Sequence, residues 1–377
     1  MVLRDDHEEK WRYSAHTKVK HEILSKYIKT WSNVLGSYHD LHIFDCFAGR
    51  GRYTDGSEGS PLKILQVVED LRESRGKPEN VYCYFIEKNN ANYENLCGEI
   101  ATFSEGKENL DWLRINTYCD EFTTVIETIM QENDDQFTPA FFFIDPFGFG
   151  GIPLVMIREI LARRMTEVFI TIMTRDLNRF LASPPHQSSI QNLFGCEDVL
   201  EKITHEPYSR LTREQAILKF YRYQLHQEAE VKYTFPFKVT ADENLQTIYY
   251  LIHCTNHPMG CELMKEIMYT SGTEGRFGYL GPAEGQLLLE QFFGGDRLRN
   301  FLFEKYGNGT ISFKNMIYEN LMVTPYIKKD YRDAVIKLEE ENKVIIKGKG
   351  PRGGIRDYTE IVFRNPQRSL SEYINRQ

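Results

Sequence analysis

The 377-residue chain has no apolar run near the ~18 residues that a helix needs to cross a bilayer, which argues against a membrane span. Its start, MVLRDDHEEKWR, lacks the apolar stretch of a secretory signal, so a cytoplasmic location is expected. CxxC pairs and Cys/His clusters are missing too. The seven cysteines, at 46, 83, 97, 119, 196, 254 and 261, are scattered, mostly inside strand-like apolar runs, and read as reduced core thiols. A zinc or iron–sulfur site would need ligands gathered from distant segments. Basic residues are not in excess: 46 Lys and Arg against 54 Asp and Glu leave a net charge of -8. That excludes a surface coated with positive charge but permits a local basic patch. No Ser or Cys nucleophile motif stands beside His186, His205, His253 or His257, so hydrolase chemistry has no visible machinery.

Hydrophobic residues make up 41% of the chain and aromatics 13%, enough for a sizeable core. Apolar runs of strand length recur at 41–47, 81–88, 113–120, 140–147 and 168–174, separated by stretches of helical character. Runs that are apolar throughout suit strands buried on both faces, and their alternation with helices implies a doubly wound parallel sheet. Ahead of them, Ile23, Leu24, Tyr27, Ile28 and Trp31 fall at helical spacing, so a helix should dock before the first strand. YTFPFKVT and TIYYLIHCTN, separated by an acidic turn, predict a hairpin that brings the sheet to seven strands. The expected organisation is an α/β, Rossmann-like sheet domain over residues 10–270 with a helical insertion at 176–230, where Pro184 and Pro185 break the pattern. A Gly-rich connector and helix at 271–300 would lead to a winged-helix-like unit at 301–370. That unit's ribbon tip carries Lys347, Lys349, Arg352 and Arg356 with Asp357 opposing, a charge pattern suited to a phosphate backbone or simply to a solvated hairpin.

The segment HIFDCFAGRGRYTDGSEGSPLKIL joins the first strand to its helix. A dinucleotide site wants a third glycine and an immediate helix start, whereas here Gly49 and Gly51 are followed by a polar loop. Ser60 and Pro61 predict an N-cap and a first helical residue, leaving RYTDGSEG free to fold over a ligand. Asp45, two before Phe47, beside an open Gly bend suits a ligand with positive charge and no phosphate; S-adenosylmethionine, with its sulfonium and ammonium, meets that description. Glu87 ends the second strand, where a carboxylate can accept from both ribose hydroxyls, and Asp120 ends the third. Asp145, Pro146, Phe147 and Gly148 follow the fourth. One acid at a strand end is usually a turn former, and D-P-F-G is also a good type I turn, yet four acids on adjacent strands point to one rim.

Taken together, FDCFAGRGRY...GSPL, FIEKN, YCD, FFFIDPFGFGGIP and HPMGCELMKEIM resemble the three-Cys-motif partner proteins, a bacterial and phage-associated group with a methyltransferase-like domain. The resemblance implies a Rossmann-like class I methyltransferase fold, S-adenosylmethionine as cofactor, a mobile-element or defence setting, and a protein partner bearing a three-cysteine motif, of radical S-adenosylmethionine type. More distantly, the sheet resembles adenine-N6 methyltransferases. That likeness implies that Asp145 and the Pro146 carbonyl accept from a target amine while Phe147 stacks on the base. It also implies that Lys20, followed by His21, lies near the methionine end of the cofactor, although surface charge on an amphipathic helix is the slightly preferred reading of the pair. The chain departs from that motif in placing Phe147 where a second proline stands and Gly148 where the aromatic stands. A nucleic-acid methyltransferase is therefore the expectation; a non-catalytic scaffold that binds DNA or a partner protein is the alternative.

Overall fold

The computed structural model describes residues 13–133, 137–241, 246–272, 277–279, 295–350 and 353–364. The chain divides into two compact units, Met1–Tyr279 and Leu280–Gln377. Most of the 271–300 connector, and Arg352, lie outside the described residues.

The first unit opens with α1 (Ala15–Leu35), capped by Ser14, whose hydroxyl accepts from the Thr17 N–H. The five apolar residues read at helical spacing, Ile23, Leu24, Tyr27, Ile28 and Trp31, are all buried, as the periodicity predicts. Then strands and helices alternate: β1 (Leu41–Asp45), α2 (Ser60–Arg75), β2 (Val81–Ile86), α3 (Asn90–Ser104), β3 (Leu113–Tyr118), α4 (Phe122–Asn133), β4 (Ala140–Ile144), α5 (Leu154–Leu161) and β5 (Thr166–Ile172). The central strands β1, β4 and β5 are buried at every position, which is why they read as continuous apolar runs.

The insertion is helical. α6 (Thr174–Phe180), a 3-10 turn at Pro184–His186, α7 (Gln187–Phe194), α8 (Val199–Thr204) and α9 (Arg213–Gln227) precede the hairpin of β6 (Tyr233–Thr240) and β7 (Thr247–Thr255). α10 (Pro258–Ser271) and a short β8 (Phe277–Tyr279) complete the unit. The sheet order is β3-β2-β1-β4-β5-β7-β6-β8. β1 to β5 are mutually parallel, β7 is antiparallel to both β5 and β6, and β8 is antiparallel to β6. This is the doubly wound, Rossmann-like sheet expected from the sequence, with β8 as an eighth, edge strand beyond the seven expected.

Side chains alternate across the sheet. Phe44 stacks between Tyr84 and Phe142 on one face. Asp45, Phe141 and Glu167 point to the other, where α1 lies with Tyr27 and Trp31 against Phe141. Twenty-one residues rising ~1.5 Å each give α1 a length of about 30 Å, and the ~17 Å of it between Lys20 and Trp31 reaches from the carboxyl ends of the parallel strands to their amino ends.

The second unit contains α11 (Gly295–Tyr306), β9 (Thr310–Ser312), α12 (Phe313–Tyr318), α13 (Lys328–Glu340), β10 (Val344–Lys347) and β11 (Glu360–Phe363). Its sheet has the order β10-β11-β9, antiparallel throughout. Phe313, Met316, Tyr331, Leu338 and Ile361 fill its core. Among the described residues, no helix is long and apolar enough to cross a membrane.

Candidate functional site

Beyond β1 the chain bends at Gly49 and Gly51, with φ of 64° and 83°, a backbone region that disfavours side chains. The Gly49 N–H donates to Glu87 Oε2 at 2.9 Å, and the Asn89 N–H donates to Glu87 Oε1 at 2.7 Å. Glu87 thus ties the end of β2 to the bend after β1. Each of its oxygens keeps a second lone pair, so the role foreseen for it with a diol remains chemically open.

Asp45 ends β1 with a fully buried carboxylate. Burial, reinforced by the charge of Asp145, pushes its carboxyl up to about 7. The Ser60 hydroxyl, the Phe47 N–H and Lys20 oppose that shift, yet neither Asp45 oxygen has a completed hydrogen bond. Immediately past β4, Asp145 Oδ2 pairs with Lys20 Nζ, while its Oδ1 is buried without a donor. The Lys20 ammonium also lies 5.4 Å from the Tyr249 ring centroid, in cation–π range. Three buried carboxylate oxygens, two on Asp45 and one on Asp145, therefore lack a completed hydrogen bond beside the Lys20 ammonium. Leaving such acceptors unsatisfied costs about 1–3 kcal/mol each, so the arrangement is built for a donor-rich, positively charged group.

Aromatic rings close the same region. Tyr53 lies 5.1 Å from Tyr13 and 6.1 Å from His21, centroid to centroid. Burial, then the charge of Asp145, pushes the phenols of Tyr53 and Tyr249 well up, so both remain protonated donors. Burial, with Lys20 and Lys63 nearby, holds His21 well below the usual imidazole range, and its Nδ1 is a further buried atom without a partner. Two more orphaned hydroxyls, Thr171 and Thr174, are buried at the carboxyl end of β5.

Two sequence expectations fail here for local reasons. Gly59, not Ser60, is the N-cap of α2, with Pro61 at the second helical position; the Ser60 hydroxyl instead faces Asp45. The loop before it is not free. Residues 51–59 form a closed hairpin through Gly59 N–H to Gly51 O and Tyr53 N–H to Ser57 O, both 2.8 Å, and an antiparallel bridge between Arg52 and Glu58. Arg52 Nε anchors this hairpin to Glu99 at 2.9 Å.

The remaining rim residues spread outward. Phe47 packs 5.8 Å from Phe122, Pro146 is buried, and Phe147 is 67% exposed beside Asp145. Asp120 is exposed two residues past β3 and caps nothing deeper than the Glu121 N–H. Lys20, Asp45 and Asp145 come together; Glu87, Gly49 and Gly51 form an adjoining cluster. Tyr53, Ser60, Thr171, Thr174 and Tyr249 were not legible as site residues. A strand order that sets β7 beside β5 is needed to bring Tyr249 to Lys20.

The cysteines are all free, but they are not all core thiols: Cys46, Cys83, Cys254 and Cys261 are buried, Cys97 and Cys196 are half-buried, and Cys119 is exposed. Among the described residues no group of three or more His, Cys, Asp or Glu side chains is placed to hold a metal ion. The basic ribbon tip of the second unit is more neutral than its sequence suggests. Lys349 pairs with Glu339 at 2.7 Å and Lys347 faces Glu360 across the strand pair, while Asp357, the acid within the tip itself, is engaged by Lys328 at 2.8 Å. The opposing acids come from α13 and β11, out of reach of a local sequence window. Lys347 and Arg356 remain exposed.

No family model matches this chain, and no curated protein does. Solved structures do. A Legionella pneumophila protein of family DUF519 is 11% identical with a TM-score of 0.36, the match covering 70% of this chain and 95% of that one. Trm1 from Pyrococcus horikoshii, in complex with S-adenosyl-L-methionine, is 10% identical with a TM-score of 0.36, covering 98% of this chain and 96% of that one. The carbon methyltransferase DszA is 10% identical with a TM-score of 0.39, covering 66% and 56%. At such identities the site residues of this chain stand on its own geometry alone.

Proposed function

We propose that this chain is an S-adenosylmethionine-dependent methyltransferase whose acceptor is an amino group on a nucleic-acid base. The observation that carries the reading is the set of buried oxygens without a completed hydrogen bond, both of Asp45 and Oδ1 of Asp145, beside the Gly49–Gly51 bend. These residues fit the cofactor: Asp45, with Lys20 and Asp145, would meet its charged methionine portion, and Glu87 would meet its ribose through the lone pairs left free. Bound there, the cofactor would supply an electrophilic methyl group on a cationic sulfur.

The chain's own contribution is then positioning and exclusion of water. Asp145 and the Pro146 carbonyl offer acceptors to an amine, and the exposed Phe147 ring offers a face on which a flat base can stack. A base inside a duplex would have to be turned out to reach them. The order helix, strand, helix, helix, strand, strand in the second unit is that of a winged helix, and its exposed Lys347 and Arg356 suit phosphate contacts.

The alternative, a scaffold without chemistry, draws support from the Lys20–Asp145 ion pair, which already neutralises the residue that would face the acceptor. Calorimetry with S-adenosylhomocysteine separates the two. Micromolar binding that is lost in Asp45→Ala and Glu87→Ala, with radiolabelled methyl transfer to single-stranded oligonucleotides, supports the enzyme. No heat at millimolar ligand would overturn it.

A further inference from the structure

On the rim opposite Asp45 and Asp145, the second half of α1, the connection from α5 to β5 and the start of α10 enclose a cavity of about 390 Å³. That volume lies within the range of small-molecule sites. Most of its wall is apolar, with Trp31, Val34, Leu35, Met165, Met259 and Leu263. Glu167, only 5% exposed, is part of the lining. Its Oε2 accepts from the Tyr27 hydroxyl and lies 2.9 Å from His253 Nε2, which donates to it. Burial and the Glu167 charge push the Tyr27 phenol well up, so that hydroxyl stays a donor.

Glu167 Oε1 is different. It rests against Gly260, where a Cβ would stand 2.3 Å away, and no donor among the described residues reaches it. Glycine at 260 is therefore what allows the carboxylate to sit at the cavity floor. Among the other polar lining groups, the Trp31 Nε1–H is a buried donor whose hydrogen-bonding capacity is unused, while several are engaged within the fold. Asn256 donates to the Leu161 carbonyl and accepts from the Lys232 N–H, and His257 accepts from the Met259 N–H. The Arg163 guanidinium is turned to the Phe137 ring and the Glu159 carbonyl, and Arg164 is exposed to solvent.

A buried carboxylate with one oxygen unpaired, at the bottom of an apolar and aromatic cavity, is complementary to a cation with a hydrophobic body. The Trp31 ring adds an electron-rich surface to the same wall. We propose that this cavity binds a small organic cation, a primary ammonium on an apolar, aromatic body, with the ammonium at Glu167 Oε1 and the body against Trp31. The site is separate from the strand-end carboxylates and does not depend on their reading.

The test compares two probes with the same indole body, tryptamine and its alcohol counterpart tryptophol, by calorimetry and thermal shift on the full chain. Tryptamine should bind at least tenfold more tightly than tryptophol, and Glu167→Gln should lose at least tenfold of that affinity. Because Glu167→Gln alters the core, Val34→Trp supplies a second variant. Val34 is 38% exposed at the cavity mouth, and a larger ring there should abolish tryptamine binding while S-adenosylhomocysteine affinity stays as in the parent. Equal affinity for the two probes, no tryptamine binding at millimolar concentration, or undiminished binding in Val34→Trp would overturn the proposal.

Discussion

Replacing Asp45 with Asn tests the electrostatics of the site without reference to any acceptor. Burial raises the Asp45 carboxyl from 3.8 to about 7 in the folded chain. An acid held above its unfolded value stabilises the fold only while both states keep the proton. Between pH 3.8 and 7 the unfolded chain releases it and the folded chain does not, so stability falls by ~1.4 kcal/mol per pH unit. Above pH 7 the loss levels off at ~4 kcal/mol. The amide in the Asp45→Asn variant carries no such charge, so the stability gap between variant and parent should widen in favour of the variant by ~3 kcal/mol from pH 5 to pH 8. For a unit of this size that is roughly 6 °C in Tm. The change of the gap with pH, rather than its size at one pH, isolates the charge from any packing effect of the amide. Differential scanning calorimetry at half-unit pH intervals, without ligand, reads it directly. A gap that stays flat from pH 5 to 8 would show that Asp45 is not an uncompensated buried acid, and the cation-site reading would fall with it.

Lys20→Met should destabilise the chain by about 3 kcal/mol at neutral pH, because it leaves Asp145 buried and unpaired beside Asp45; a cycle with Asp145→Asn in urea should give a coupling of at least ~1 kcal/mol, and additivity would contradict the ion pair. Phe147→Ala should change stability by less than about 0.5 kcal/mol, since the ring is mostly in solvent, while labelled methyl transfer to an oligonucleotide drops roughly tenfold or more. Unimpaired transfer would remove Phe147 from the acceptor site. Lys347→Ala combined with Arg356→Ala should reduce the slope of log affinity for single-stranded DNA against log salt by about 1.4, whereas Lys349→Ala, whose charge is already engaged by Glu339, should move it far less. Equal effects from both variants, read by fluorescence anisotropy, would count against this division of the ribbon tip.

The parallel strands were legible because a strand buried on both faces must be apolar throughout; AFFFI meets that condition, and LHIFD meets it apart from His42 within the strand and, at the strand end, a charged exception, Asp45. That exception marked the site. The helical spacing in α1 was equally legible, since its buried stripe is written at a period that nearby residues carry by themselves. Other features had no local trace. The insertion of β7 between β5 and β6 put Tyr249 beside Lys20, and the approach of Glu167 dictated a glycine at 260. Glu339 reached Lys349 from another element, and the Ser60 hydroxyl turned to Asp45 and left the cap of α2 to Gly59. Periodicity is a property of neighbours along the chain, so the sequence by itself determined the elements and the strand ends that carry acids. Whether each acid is paired, orphaned or shielded depends on what lies across from it, and only the tertiary structure decided that.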